Sequence, residues 1–121
     1  MLHMEQTKFI FTMVLLVFLI AACSSEPSEF DNFAQCLTDN GVTMYGAYWC
    51  PHCQNQKEMF GKSFENVIYV ECSLPNRAGQ TQACKDAKIN AYPTWEFKDG
   101  ERVEGEVSLQ GLSQKTGCRL V

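Results

Sequence analysis

The segment YGAYWCPHCQNQKEMFG, residues 45–61, contains two cysteines, Cys50 and Cys53, separated by two residues. The preceding residues 42–49 (VTMYGAYW) are largely apolar and rich in strand formers, which predicts a buried central strand. Residues 51–60 have the pattern of a helix, with Pro51 in its first turn, where a missing N–H costs nothing. The cysteine pair is therefore predicted to lie between a strand and the helix that follows it.

That position gives the two cysteines different expected roles. A helix N-terminus carries about half a positive charge and unpaired N–H groups, so it stabilises a thiolate at Cys50. His52 adds a donor or a positive charge nearby, and the thiolate is the reactive form of a cysteine. Cys53 lies within the first turn and is expected to be more buried. Cys50 is thus the predicted attacking or attacked sulfur, and Cys53 its resolving partner.

Two other interpretations of the cysteine pair are weaker. A zinc ribbon needs a second pair of cysteines at the same spacing, and Cys72 and Cys84 are too far apart for that. A c-type haem needs histidine directly after the second cysteine, where Gln54 stands. A purely structural disulfide between Cys50 and Cys53 would close a very short loop and restrain the unfolded chain little. We therefore expect neither a metal nor another cofactor.

A second part of the site is expected at Tyr92-Pro93-Thr94. Proline at the start of a strand cannot donate to the sheet, and here it predicts a cis peptide bond; a trans proline that marks the strand edge is the alternative. In the cis form, the backbone of Tyr92 and Thr94 can face the cysteine pair and bind a peptide substrate. Trp49 is assigned to the same substrate-binding rim.

The remaining pattern predicts the fold class. Helices are expected near residues 30–40, 81–89 and 108–117, a second buried strand at 66–72, a third at 93–97, and a fourth after the hairpin signal Asp99-Gly100. Strands that alternate with helices and end in a hairpin indicate an α/β fold. We predict a central mixed four-stranded sheet flanked by helices, with an extra N-terminal helix.

The N-terminal residues predict export. The chain has 121 residues and a formal charge of -4 without a basic run, which argues against nucleic-acid binding. Residues 9–22 (FIFTMVLLVFLIAA) are uncharged, short for a membrane span, and similar to the apolar region of a signal peptide. The sequence IAAC resembles a bacterial lipobox and predicts lipidation at Cys23. An ordinary cleaved signal and an uncleaved anchor are the alternatives.

The predicted organisation is a lipoprotein-type signal peptide at residues 1–22, a polar tether at 23–29 and one folded domain at 30–121. The domain is expected on the periplasmic side, anchored by lipid and monomeric. Exported cysteines meet an oxidising compartment, and disulfides help so small a core. If Cys50 pairs with Cys53, three pairings of the other cysteines remain. Cys72–Cys84 with Cys36–Cys118 is favoured; a second exchange pair at Cys72 and Cys84 is the alternative.

Five stretches together resemble a known family: FAQCL at 33–37, the segment 45–61, YVEC at 69–72, YPTWEF at 92–97 and SLQGLSQKTG at 108–117. They resemble the thioredoxin superfamily, and most closely the thioredoxin-like domain that accompanies bacterial and plant vitamin K epoxide reductase homologues. The resemblance implies a thioredoxin-like fold, a redox-active Cys50–Cys53 pair and a cis-proline at Pro93. It also implies a membrane quinone reductase as redox partner, which is expected to act in trans.

The expected function is a thiol–disulfide oxidoreductase that acts on exported proteins. The Pro-His pair between the cysteines resembles that of a strong oxidant of the same superfamily, which favours oxidation of substrate thiols. A reductase or isomerase of exported disulfides is one alternative. A non-catalytic lipoprotein binding module that presents the groove at Tyr92-Pro93 is the other.

Overall fold

The computed structural model describes residues 2–18 and 25–121. Its helices and strands are α1 (Leu2–Phe18), α2 (Asp31–Asp39), β1 (Thr43–Gly46), α3 (Pro51–Phe60), β2 (Ile68–Glu71), α4 (Gln82–Asp86), β3 (Thr94–Glu96), β4 (Arg102–Glu104) and α5 (Leu109–Thr116). Short 3-10 turns at Gly61–Asn66 and Pro75–Arg77 lie on either side of β2.

The four strands form one mixed sheet in the order β2-β1-β3-β4. Strand β1 runs parallel to β2 and antiparallel to β3, and β3 pairs antiparallel with β4. The parallel strands β1 and β2 are connected through α3. The antiparallel strands β3 and β4 are connected through the predicted hairpin at Asp99-Gly100. This sheet and its flanking helices confirm the predicted α/β, thioredoxin-like fold class.

The strand register separates two cores. Met44, Tyr69, Trp95 and Val103 are register partners on one face, where α2, α3 and α5 cover them and form the main core. On the opposite face, the neighbouring positions Tyr45 and Val70 pack against a smaller cluster of Cys72, Cys84 and Ile89 beside α4. Cys50 and Cys53 belong to the main core, so the candidate site lies on the α3 face of the sheet.

The second predicted strand is present as β2, but the prediction that it is buried was wrong. Strand β2 is one of the two edge strands of the sheet, and Ile68 is 37% exposed. The run Val67–Val70 is apolar on both sides, which is typical of a central strand, but β2 has a neighbour on one side only. The chain also continues beyond Gly61 into the 3-10 turn, whose Phe64 packs on the ring of Tyr69.

Helix α1 carries the uncharged N-terminal run as far as Phe18. Within the ranges 2–18 and 25–121, no helix is long and apolar enough to cross a membrane. Cys23, the predicted lipidation site, lies outside the described residues.

Gln56 on α3 is a polar residue with no exposed surface in the main core. Its Oε1 accepts hydrogen bonds from Trp95 Nε1 at 3.0 Å and from the backbone N–H of Val107 at 2.7 Å. Its Nε2 donates to the carbonyl of Val107 at 2.8 Å. One side chain therefore connects α3, β3 and the segment that leads into α5.

Gln56→Leu is expected to destabilise the domain by about 3 kcal/mol, because the buried Trp95 N–H and the two partly buried backbone groups of Val107 lose their partner while the volume is nearly kept. Equilibrium unfolding in urea measures this change. The matched control is Gln35→Leu on α2, whose side chain is exposed, with an expected change below about 0.5 kcal/mol. Equal losses in the two variants would contradict the role assigned to Gln56.

Candidate active site

The cysteine pair lies where the sequence predicts it, at the first turn of α3. Cys50 is the N-cap residue, with an extended backbone, and Pro51 is the first helical residue. The backbone N–H of Gln54 donates to the carbonyl of Cys50 at 3.1 Å and closes the first turn. Cys50 is 5% exposed and Cys53 has no exposed surface, and both are free thiols. A reagent can therefore approach Cys50 but not Cys53.

The cysteine pair meets the loop before β3. The peptide bond between Tyr92 and Pro93 is cis. The Cys50 Sγ lies 3.6 Å from the carbonyl oxygen of Tyr92, to which its thiol donates. The segment Tyr92-Pro93 and the Cys50 sulfur thus lie at one place, although 42 positions separate Cys50 from Tyr92 in the chain.

Burial changes the pKa of the Cys53 thiol. Desolvation raises the pKa of Cys53 to about 12, and a hydrogen bond and electrostatic repulsion from Cys50 act in the same direction. A hydrogen bond from the backbone of Ala47 and the positive charge of Lys57 partly oppose that increase. Cys53 is consequently a neutral thiol in the resting dithiol at neutral pH, as suits a resolving cysteine.

His52 forms an ion-pair contact that the sequence did not reveal. Its side chain is 68% exposed, and Nδ1 lies 2.8 Å from Oε2 of Glu106. Glu106 follows β4, so this contact depends on how the hairpin folds back over α3. A carboxylate here offsets part of the positive charge that a protonated His52 offers. The assistance of His52 and Pro51 to a Cys50 thiolate stays a prediction.

Trp49 directly precedes Cys50 and forms one side of a shallow pocket. Its ring packs edge-to-face on Tyr92, with centroids 6.1 Å apart, and its Nε1 donates to Ser73 Oγ at 2.8 Å. The guanidinium of Arg77 lies 4.7 Å from the Trp49 ring centroid. The pocket has a volume of about 230 Å³ and is also lined by Gln80.

Thr94 is placed differently from the other predicted substrate-binding residues. Its side chain is buried, and its hydroxyl donates to the carbonyl of Ala91 at 2.7 Å. Its backbone lies within the sheet, between Tyr45 and Glu104. The structure brings Trp49 and Tyr92 to the rim of the site, whereas Pro93 is fully buried like Thr94. The contacts of all four residues with a substrate stay predictions.

The other cysteines form two disulfides, Cys36–Cys118 and Cys72–Cys84, which are the pairings favoured from the sequence. Cys72 and Cys84 have no exposed surface. A thiolate attacks a disulfide along the sulfur–sulfur axis and needs access to it, so burial favours a structural role for this pair over exchange.

Across residues 2–18 and 25–121, no group of three or more His, Cys, Asp or Glu side chains is arranged to hold a metal ion.

The chain was also compared with known protein families and sequences. No family model matches the chain. The chain is similar to the thiol-disulfide oxidoreductase LTO1 of Arabidopsis thaliana, with 42% identity over 91 residues. The match covers 72% of this chain and 24% of that protein, so the chain spans about a quarter of the length of the relative.

Two solved structures are also similar. The crystal structure of chloroplastic thioredoxin z matches with a TM-score of 0.48 and 17% identity, covering 63% of this chain and 74% of that one. Thioredoxin O2 from Arabidopsis thaliana in the oxidized state matches with a TM-score of 0.39 and 18% identity, covering 74% and 87%.

Proposed function

We propose that this chain is a thiol–disulfide oxidoreductase that exchanges disulfides with other proteins through Cys50 and Cys53. The observation that carries the proposal is the pair of free thiols at the N-terminus of α3, Cys50 with 5% of its surface exposed and Cys53 with none, and the Cys50 Sγ against the Tyr92 carbonyl. The activity in the name of the Arabidopsis relative supports it.

Oxidation of a substrate proceeds in two exchanges. A substrate thiolate attacks Cys50 Sγ in the Cys50–Cys53 disulfide, and Cys53 leaves and takes up a proton. A second thiolate of the substrate then attacks the substrate sulfur of the mixed disulfide, and Cys50 leaves as a thiolate. The substrate loses two electrons and the cysteine pair gains them. Reduction of a substrate is the same sequence in reverse.

The proposed direction is oxidation. The free N–H groups at the start of α3 favour a negative Cys50 sulfur, which stabilises the dithiol form and increases oxidising power. Pro51 and His52 support the same direction. Exported proteins that need disulfides are the proposed substrates.

The reduction potential is expected above about -200 mV, in the range of disulfide-forming proteins rather than near the -270 mV of thioredoxin. Equilibration with glutathione buffers, read out by alkylation of free thiols, measures it. His52→Ala is expected to give a more negative potential, because the proposed support of His52 for a Cys50 thiolate is removed. A wild-type potential below about -250 mV would overturn the oxidising direction and favour a reductase or isomerase.

The proposed location is extracytoplasmic, on the periplasmic side, with a lipid anchor on Cys23. The uncharged run at residues 9–22 and the sequence IAAC support export and lipidation. The proposed redox partner is a membrane quinone reductase of the vitamin K epoxide reductase type that reoxidises Cys50 and Cys53 in trans. The sequence motifs that resemble the associated thioredoxin-like domain support that partner.

A further inference from the structure

The loop between β2 and α4 brings an arginine to the segment that leads into Cys50. The 3-10 turn Pro75–Arg77 lies in this loop, and Asn76 and Arg77 both have a positive φ, at 57° and 55°. Such backbone is uncommon for residues other than glycine. After this turn, the Arg77 guanidinium lies over the ring of Trp49, 4.7 Å from its centroid.

Two hydrogen bonds attach this loop to the residues before Cys50. The backbone N–H of Arg77 donates to the Tyr48 hydroxyl at 3.2 Å. The Trp49 Nε1 donates to the hydroxyl of Ser73 at the start of the loop, at 2.8 Å. The backbone of Arg77 and the ring beneath its side chain are therefore both held in place, so the guanidinium has a defined position relative to Cys50.

The charge of Arg77 is not neutralised by a carboxylate in the part of the chain that the structure describes. Arg77 belongs to none of the ion pairs found there, which join His52 to Glu106, Arg102 to Glu96, and Lys115 to Glu101. Glu71 precedes the same loop, but its carboxylate accepts the backbone N–H groups of Tyr48 and Ser73. The exposed guanidinium, with five N–H donors, thus remains available for an external anion.

Arg77 also lines the pocket of about 230 Å³ that Trp49 and Tyr92 line. This pocket adjoins Cys50 through Tyr92, whose carbonyl oxygen lies 3.6 Å from Cys50 Sγ. Among its lining residues within 25–121, Arg77 alone is charged, and the Gln80 amide already donates to the Tyr92 hydroxyl at 2.9 Å. Small-molecule sites have volumes of about 300–1,000 Å³, so this smaller pocket suits one side chain of a larger partner.

We propose that Arg77 is a specificity-determining residue that binds an aspartate or glutamate side chain near the reacting cysteine of a protein substrate; the proposal rests on the function proposed above. A guanidinium binds a carboxylate through two parallel N–H···O bonds, and stacking on Trp49 orients its plane. An extended peptide advances about 3.3 Å per residue, so a side chain within two positions starts about 7 Å or less from the cysteine. Its carboxylate can enter the pocket while the cysteine reacts with Cys50.

The expected preference for acidic substrates is moderate and depends on salt. Arg77 is exposed, and an exposed ion pair changes an equilibrium by up to about fivefold. Counterions screen such a pair, and the screening length falls to about 3 Å at 1 M ionic strength. A preference that comes from Arg77 is therefore expected at low salt and lost near about 1 M salt.

The experiment uses the oxidised full-length protein and reduced two-cysteine peptides. The peptides carry Glu, Gln or Lys at one position, which is varied over the two residues on each side of the first cysteine. The rate constant of peptide oxidation is measured after acid quenching, and the ratio of the Glu peptide to the Gln peptide is compared between the wild type and Arg77→Gln. The flanking residue affects the peptide thiol equally with both proteins, so the comparison isolates its contact with Arg77.

The Glu-to-Gln ratio is expected to be about three- to fivefold higher in the wild type than in Arg77→Gln, at one or more of the four positions. Arg77→Glu should reverse the preference, so that the Lys peptide reacts faster than the Glu peptide. The matched control is Arg119→Gln, which removes the same charge from an exposed arginine after α5, outside the pocket. Its ratio should equal that of the wild type.

Equal ratios in the wild type and Arg77→Gln at all four positions would overturn the acidic specificity. The same conclusion follows if Arg119→Gln lowers the ratio as much as Arg77→Gln, because net charge would then explain the preference. In both cases continued oxidation of the peptides leaves the proposed function intact. A wild-type protein that oxidises none of the peptides would overturn the proposed function as well.

Discussion

Cys50→Ser is expected to reduce disulfide exchange to the uncatalysed background. A serine hydroxyl does not ionise near neutral pH, and Cys53 cannot take over, since it is fully buried and its pKa is raised to about 12. The measurement is the rate at which the oxidised protein forms a disulfide in a reduced two-cysteine peptide. Exchange at the wild-type rate by Cys50→Ser would place the reactive sulfur elsewhere in the chain.

Cys53→Ser is the matched variant, and we expect it to form mixed disulfides without resolving them. Cys50 remains at the N-cap of α3 and can still enter a mixed disulfide, but no neighbouring thiol resolves it. Mixed disulfides should accumulate and appear as reducible adducts on non-reducing gels. Adducts recovered from membranes of the source cell would include the redox partner proposed above. Full turnover by Cys53→Ser would show that Cys53 is not the resolving residue.

Removal of the Cys36–Cys118 disulfide by paired alanine substitutions is expected to cost about 4.5 kcal/mol of unfolding free energy. The bridge joins positions 82 apart, from α2 to the segment after α5, and the unfolded chain gains the entropy of that large loop when it is lost. A domain of this size has only about 5–15 kcal/mol in total. Urea unfolding under non-reducing conditions measures the loss.

The Cys72–Cys84 pair provides an internal comparison for the same measurement. It closes a loop of 12 positions, for which the expected loss is about 3 kcal/mol. Cys72 and Cys84 have no exposed surface, whereas Cys36 is partly buried, so the difference between the two double variants sets loop length against local packing. A greater loss for the shorter loop would mean that local packing, rather than the unfolded chain, dominates the stabilisation by these bridges.

The features predicted correctly from the sequence are those set by neighbours in the chain. The start of α3 follows from Pro51, and its end from Gly61, as local backbone preferences require. The fold class follows from the order of strands and helices. The hairpin between β3 and β4 follows from Asp99-Gly100.

What the sequence did not predict depends on how strands are ordered and aligned. The apolar run of β2 looks buried, and only the sheet order places it at an edge. The contact of Glu106 with His52 and the bonds of Gln56 to Val107 both need the chain to return over α3. Tyr69 packs against the main core because β2 pairs with β1 in a register that sets it opposite Met44. A shift of one residue would turn Tyr69 to the other face.

The Cys36–Cys118 bond also determines how the domain responds to tension. A pulling force applied between a residue before Cys36 and one after Cys118 passes from one sulfur to the other through a covalent bond. The sheet, α3 and the Tyr92-Pro93 segment all lie inside the closed loop and carry none of that force directly. A force that pulls on the two ends of the domain is therefore not expected to change the distance between Cys50 and Cys53.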